Sequence, residues 1–350
     1  MALTDTRRSA ICSPISALLP LGKLAMGSSS RQFTELKNAI GHGRYSVTSK
    51  FKSLMSRLQS ISGKVQLIVA SRLFVPKSGQ LRSEFHNRVM SVFKSSCERV
   101  DFGEPQRTAA SINNWVKSQT KGLIKKIITP SEISSKSSLI ITNAIYFNGR
   151  WKHRFTSVKY DTFYGTTSMR SIQMMTIERG YQYARSSRLR AEIVQIPYAG
   201  NEVSFIAVLP YEKDGLGHLM RQLLQSPKEL NNALAKLSLA YMRLSLPKFK
   251  IQSNLDLGAI YFKVGLKEIF KNNNKILTKI LKGRNVFVSK SVQAAVIELS
   301  EYGTEAAGAT FVEIQKISAP QFIEVNFNRP FLFYILAGSD QLFGGIFTNS

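Results

Sequence analysis

The chain has 350 residues, with 48 Lys and Arg against 22 Asp and Glu and a formal net charge of +26. Hydrophobic residues make up 43% of it, enough for a packed core, so intrinsic disorder is excluded as the main state. A positive surplus of this size points to anionic partners such as nucleic acid, polysaccharide or a membrane surface, and says nothing about fold. The two cysteines, Cys12 and Cys97, exclude a disulfide framework and sit at no zinc-ligand spacing with His. No stretch reaches the roughly 18 consecutive apolar residues of a membrane span. The opening MALTDTRRSAICSPIS lacks the apolar core of a signal peptide, so nothing in the residues themselves sends the chain out of the cytosol.

From Ser13 to Ala39 the pattern is helical with a break at Gly27–Ser30, and Pro20 is expected to kink the first part. Phe51, Leu54, Met55 and Leu58 recur at helical spacing with Lys50, Lys52, Arg57 and Lys64 around them, which predicts an amphipathic helix with a basic outer face. Val65–Val75 reads as a strand, Ser83–Ser96 as a helix capped by Ser83, and Glu104–Gln119 as a helix opening at Glu104-Pro105. Ser138–Phe147 (SLIITNAIYF) is apolar on both faces, as a strand buried in the middle of a sheet must be. Further strands are predicted at Ala191–Pro197, Val203–Leu209, Tyr241–Ile251, Phe287–Leu299, Phe322–Phe327, Phe331–Ala337 and Phe343–Phe347. Helices fit Leu216–Gln225, Pro227–Leu237 and Leu255–Val264. Helices cluster first and strands dominate later, an α+β arrangement, and no linker divides the chain, which argues for one large domain.

Catalytic signatures are absent from the sequence. His42, His86, His153 and His218 form no HExxH, and there is no Gly-x-Ser-x-Gly elbow, Walker loop or full dinucleotide glycine loop. An enzyme is therefore disfavoured. The unusual segment is Val296–Thr310, VIELSEYGTEAAGAT, where a strand runs into small residues. Small side chains in series admit two readings, a flexible Gly/Ala loop or a segment able to slide between existing strands, since little volume must fit at each alternate inward position.

This stretch resembles the hinge of the reactive-centre loop of the serpin family, and the likeness runs over nearly the whole chain. Also similar are SPIS at Ser13–Ser16, ASRLFV at Ala70–Val75, INNWVKSQTKGLIKKII at Ile112–Ile128 and TNAIYFNGRW at Thr142–Trp151. Later come IPYAGNEVSFIAVLP at Ile196–Pro210, LPKFKI at Leu246–Ile251, FVSKSVQAAV at Phe287–Val296 and VNFNRPFLFYI at Val325–Ile335, all collinear with the family. The resemblance implies a single serpin domain over residues 1–350, with a large central mixed sheet, two smaller sheets and about eight or nine helices. It also implies a suicide inhibitor whose exposed loop, residues 301–324, is attacked by a serine protease and then inserts into the central sheet while the acyl-enzyme persists.

Carried over by position, Gly303 and Thr304 open the hinge, followed by Glu305, Ala306, Ala307, Gly308, Ala309 and Thr310. A charged or bulky residue at Thr304 would be costly to bury, so its identity fits an inhibitory member. Glu301 matches a glutamate that pairs with a lysine, here Lys248, near Trp151, in the region called the breach. Ser13, Ser16 and Asn143 map to the polar shutter cluster under the sheet, where Gln293 replaces the usual histidine; glutamine can donate and accept, so the cluster is expected to survive. Counting seventeen positions inclusive from Glu301 puts the scissile bond between Ile317 and Ser318, and a loop one residue shorter would put it after Lys316. Spacing favours Ile317; the cation of Lys316 suits a trypsin-like pocket better than a β-branched side chain does.

The basic helix with Lys50, Lys52 and Arg57 falls where some serpins bind heparin, so a glycosaminoglycan or other heparin-like polyanion is a candidate partner, and a non-inhibitory polyanion-binding serpin is the rival reading. Competing patches are Lys121, Lys125 and Lys126; Arg150, Lys152 and Arg154; Arg185, Arg188 and Arg190; and Lys271, Lys275, Lys279, Lys282 and Arg284. No cofactor is required, no metal, specific nucleic acid or membrane span is expected, and the resemblance implies a monomer. The chain begins almost at SPIS, so the family's first helix is expected to be missing; family expectation places the protein outside the cell, with the cytoplasm as the alternative.

Overall fold

The computed structural model describes residues 6–29, 34–41, 44–62, 65–272, 276–302 and 322–348. In chain order these form β1 (Ala10–Cys12), α1 (Pro14–Met26), α2 (Thr34–Ile40), α3 (Arg44–Ser62), β2 (Gln66–Pro76), α4 (Ser83–Phe93), β3 (Cys97–Val100) and α5 (Pro105–Gln119). Next are β4 (Leu139–Asn148), β5 (Ser157–Tyr164), β6 (Met169–Ser186), β7 (Ala191–Pro197), β8 (Val203–Pro210), α6 (Leu216–Gln225) and α7 (Lys228–Leu234). The rest are β9 (Ser238–Pro247), β10 (Phe249–Asp256), α8 (Leu257–Lys263), β11 (Leu277–Leu281), β12 (Arg284–Val286), β13 (Val288–Leu299), β14 (Ile323–Asn326), β15 (Phe331–Ala337) and β16 (Asp340–Phe347). Three sheets of nine, five and two strands with these helices make a mixed α+β fold. Among the described residues no helix is long and apolar enough to cross a membrane.

Among the described residues the contacts divide the chain into two compact units, one within Cys12–Phe147 and Gln252–Val296, the other within residues 6–11, Asn148–Ile251, 297–302 and 322–348. The first unit carries the five-stranded sheet, in the order β10-β13-β4-β2-β3. β4 is buried along nearly its whole length, as its two-faced apolar sequence requires. α5 covers this sheet: Ile112 and Val116 pack with Phe74, Ile140, Ala144, Ala294 and Val296 in one cluster. Ser138 N–H donates to Ser289 Oγ at 2.8 Å, and Asn143 Nδ2 donates to the Val292 carbonyl at 3.4 Å. These contacts step up both chains together, so β4 and β13 are parallel neighbours.

α1 begins at Ser13, whose hydroxyl accepts from the Ser16 N–H at 3.1 Å, with Pro14 at the first helical position, where its lack of a donor costs nothing. The helix continues through Pro20, and Gly22 lets it approach closely: a Cβ there would meet Phe51 at 2.7 Å and Phe93 at 2.8 Å. The next residue, Lys23, is fully buried, its ammonium donating to the Ser71 carbonyl at 2.7 Å and to the hydroxyls of Ser71 and Ser95, both at 2.9 Å.

The second unit carries the nine-stranded sheet, ordered β1-β16-β15-β8-β7-β6-β9-β14 with β5 paired to β6. Its core is aromatic, with Phe249 stacked on Phe347 at 4.7 Å and Phe205 on Phe333 at 5.3 Å. Two expectations differ here and in the first unit. The strand read as Tyr241–Ile251 is two strands, β9 ending at Pro247 and β10 starting at Phe249, with Lys248 between them. Ser83 is the first helical residue of α4, not its cap; that position belongs to Arg82, whose side chain makes no capping bond.

Candidate functional site

In the first unit, Ser13, Ser16, Asn143 and Gln293 are all buried. Gln293 uses both ends of its amide on one residue: Oε1 accepts from the Ser13 N–H and Nε2 donates to the Ser13 carbonyl, each at 2.9 Å. This double bond pair ties β13 to the start of α1, while Asn143 ties β4 to β13. The structure therefore brings these sequence-identified residues together, with glutamine satisfied. Ser16 Oγ, Asn143 Oδ1, Thr142 Oγ1 and Ser291 Oγ are buried without a hydrogen-bond partner. Natural interiors leave few such groups; Ser16, Asn143 and Ser291 lie on the α1 side of the sheet, and Thr142, adjacent to Asn143 on β4, faces the α5 side.

In the second unit, Lys248 Nζ lies 2.9 Å from Glu301 Oε2. Burial pushes the Glu301 carboxyl up, but its own backbone N–H and the Lys248 ammonium outweigh that and hold it below the ordinary carboxylate range. Lys248 is raised by the same pair, chiefly through its hydrogen bond to Glu301. Trp151 is buried, and its indole donates to the Ser300 carbonyl at 2.6 Å. Its backbone N–H donates to the Tyr302 carbonyl at 3.1 Å, and Phe155 N–H to the Glu301 carbonyl at the same distance. Three consecutive carbonyls, 300 to 302, are thus pinned by the segment that starts at Trp151. Trp151 also stacks on Tyr198 at 4.4 Å, and the Arg154 guanidinium lies 5.7 Å from the Tyr302 ring centroid. Phe155, Tyr198 and Tyr302 escaped the sequence reading because each acts through contacts between distant segments with no local motif.

The hinge residues Gly303 to Thr310 and the cleavage candidates Lys316, Ile317 and Ser318 lie outside the described residues. On α3, Val47, Phe51, Leu54, Leu58 and Ile61 form the buried stripe. Lys50 and Arg57, seven residues apart, share one side of it, and Arg57 donates to Ser53 Oγ at 3.0 Å. Lys52 is turned about 200° from Lys50, so the three do not form one face. Among the competing patches, Arg185, Arg188 and Arg190 each face a carboxylate, Glu192 at 3.8 Å, Glu229 at 2.6 Å and Glu212 at 3.0 Å. Lys271 pairs with Glu268, and Lys275 lies outside the described residues. Lys121, Lys125 and Lys126 are exposed. Among the described residues no cluster of His, Cys, Asp and Glu has the composition to hold a metal ion.

A five-stranded sheet in which β13, next to the central strand β4, leads into a pinned turn and, in the sequence, a run of small residues is the arrangement that the resemblance predicts. The model of the family Serpin (serine protease inhibitor) matches residues 1–349, and the chain belongs to that family. Antichymotrypsin-2 of Bombyx mori is 34% identical over 346 residues, 97% of this chain and 92% of that protein. Antitrypsin of Bombyx mori is 34% identical over 349 residues, 98% of this chain and 88% of that one. Among solved structures, native protease nexin-1 with heparin has a TM-score of 0.87 at 26% identity, covering 98% of this chain and 93% of that one. Serpin48 of the insect Tenebrio molitor, described as highly specific, has a TM-score of 0.85 at 25% identity, covering 98% and 92%. The general function is therefore inhibition of serine proteases, with a protease as partner.

Proposed function

We propose that the chain is a suicide inhibitor that traps its protease as an acyl-enzyme by inserting the cleaved loop between β4 and β13. The protease's serine oxygen attacks the carbonyl carbon before the scissile bond, the C–N bond breaks, and the new amine leaves with the C-terminal segment. The ester persists because the loop moves before water can attack it. The observation that carries this reading is the pairing of β4 and β13 as parallel neighbours, with the small-residue run leaving the C-terminal end of β13. A strand turning back from that end would run antiparallel to both, replacing one parallel interface with two antiparallel ones, the slightly more stable pairing. The unsatisfied polar groups of Asn143, Thr142, Ser16 and Ser291 lie in the region that must open. We place the scissile bond after Lys316, because its cation suits a trypsin-like pocket; Ile317, favoured by spacing, is the alternative. Incubation with trypsin, chymotrypsin and elastase, followed by denaturing electrophoresis and mass spectrometry of the released fragment, tests both points. A covalent complex with trypsin and cleavage after Lys316 are expected. Cleavage by every protease with no covalent complex refutes trapping.

The second reading, polyanion binding, draws on the net charge and on the presence of heparin in the nexin-1 structure similar to this chain. On α3 it rests on Lys50 and Arg57, which share a side, rather than on Lys52. Retention on immobilised heparin that persists in the Lys50→Ala, Arg57→Ala double variant would refute α3 as the site.

A further inference from the structure

A different basic site lies within the first unit, between the start of α4, the end of α1 and β11. A cavity of about 230 Å³ opens there, floored by Met26 and Phe85 and walled by Arg82, Arg88, Lys279, Thr278 and Glu84. Arg82 is fixed in place: its backbone N–H donates to the Ile280 carbonyl at 3.0 Å and its Nε to the Leu281 carbonyl at 3.2 Å. No carboxylate neutralises Arg82 or Lys279 among the described residues. The single acid, Glu84, stands 3.7 Å from Arg88; it is exposed, as are Arg82 and Lys279, so solvent screens both signs alike and the surplus of positive charge remains. Three cations thus meet one carboxylate around an open cleft. The exposed Lys77 and Lys282 on turns and Arg284 at the start of β12 add positive charge to the same unit.

The size of the void limits what it can hold. Drug-sized ligands occupy about 300–1,000 Å³, more than the space here. A planar guanidinium held by its Nε, a point-charge ammonium and the Thr278 hydroxyl offer donors from several directions, which suits a compact multivalent oxyanion better than a flat carboxylate. α4 adds a lesser contribution, since its first turn has no side-chain cap and its dipole favours negative charge nearby.

We propose that this cavity binds a single tetrahedral oxyanion, a sulfate or phosphate group, either as the free ion or carried on a sulfated oligosaccharide. The proposal is independent of loop insertion and of any polyanion bound by α3. The test is calorimetric titration of the full chain in low-chloride buffer with sodium sulfate, sodium phosphate and a sulfated tetrasaccharide. Saturable one-site binding of at least one probe is expected, weakened at least fivefold in Lys279→Gln and tightened severalfold in Glu84→Gln. The gain in Glu84→Gln cannot come from a damaged fold. Saturation by the inorganic ions identifies the free ion as sufficient; saturation by the tetrasaccharide alone identifies the carried group. Absence of saturable binding by all three probes, or an affinity unchanged in either variant, overturns the site.

Discussion

The buried amine of Lys23 has three oxygen acceptors and no counter-charge, so the cost of stripping water from an ammonium falls on its proton. Burial lowers its pKa from 10.5 to about 7, with the nearby Cys97 opposing the shift and Arg72 adding to it. Cys97 responds in the opposite sense, its thiol pushed up to about 11 by burial. The folded state therefore releases the Lys23 proton near neutrality while the unfolded chain keeps it to about pH 10. Between those values the unfolded state binds more protons, so stability rises with pH. Measured against Lys23→Met, the wild-type chain should gain stability by about 1.4 kcal/mol per pH unit across pH 7–10. Denaturant unfolding at several pH values reads that gap directly, and a gap independent of pH would show that the amine stays in one protonation state throughout. Under the proposed trapping mechanism Thr304 poses the converse problem, a side chain that would be buried only during insertion. Thr304→Arg should leave cleavage intact and abolish the covalent complex on denaturing gels, because a guanidinium would have to be buried as the first inserting residue; undiminished complex would contradict insertion.

At the scale of elements, the turn after β13 is held from three sides: by the Lys248–Glu301 pair, by the indole of Trp151 and by backbone bonds from residues 151 and 155. Lys248→Ala leaves the Glu301 carboxylate, only 15% exposed, without its partner, at a cost on the order of 1–3 kcal/mol. Glu301, held below its ordinary range, contributes stability above its unfolded pKa that is lost as pH falls through the folded value, so the penalty should shrink under acid conditions. Thermal unfolding of the variant at pH 7 and pH 3 checks this, and an equal loss at both would assign the effect to lysine packing instead. The pair itself was legible only through family resemblance, since nothing local joins residue 248 to residue 301. Elements with strong internal patterns were readable directly: β7, α6 and β15 fall at their expected residues, and the two-faced apolar run of β4 gives away its central place. β5 and β6 left no comparable signal. β5 is mostly exposed, and β6 is half-exposed over 18 residues with buried and exposed positions out of strict alternation, so neither shows the period of two on which strand recognition depends. The split at Lys248 has a local cause: Pro247 cannot donate to a ladder, and β9 stops there.

For the molecule as a whole, trapping requires the uncleaved fold to lie above the inserted one in free energy, with the five-stranded sheet as the element that changes. Alternate residues of the loop from Thr304 onward are Thr304, Ala306, Gly308, Thr310, Val312 and Ile314, small at first and then apolar, followed by the charged Lys316. With a period of two these would face one side of an inserted strand, while Glu305, Glu313 and Gln315 face the other. In the proposed insertion small residues would cross the opening first and the larger apolar ones would contribute burial last, so little volume would obstruct the start and the gain would come at the end. Burying Val312 and Ile314 alone is worth roughly 3–6 kcal/mol, and at the roughly 2 °C per kcal/mol expected of large domains this raises the unfolding temperature on the order of 10 °C. Chain cut in the loop by limited proteolysis should therefore unfold at a temperature higher by about that amount than intact chain, with both fragments still associated. The same cut in Thr304→Arg should give no such rise, because the first step of insertion is blocked. Equal unfolding temperatures for cut and intact wild type would mean that the sheet never accepts the loop, and inhibition by this chain would then have to work without a trapped acyl-enzyme.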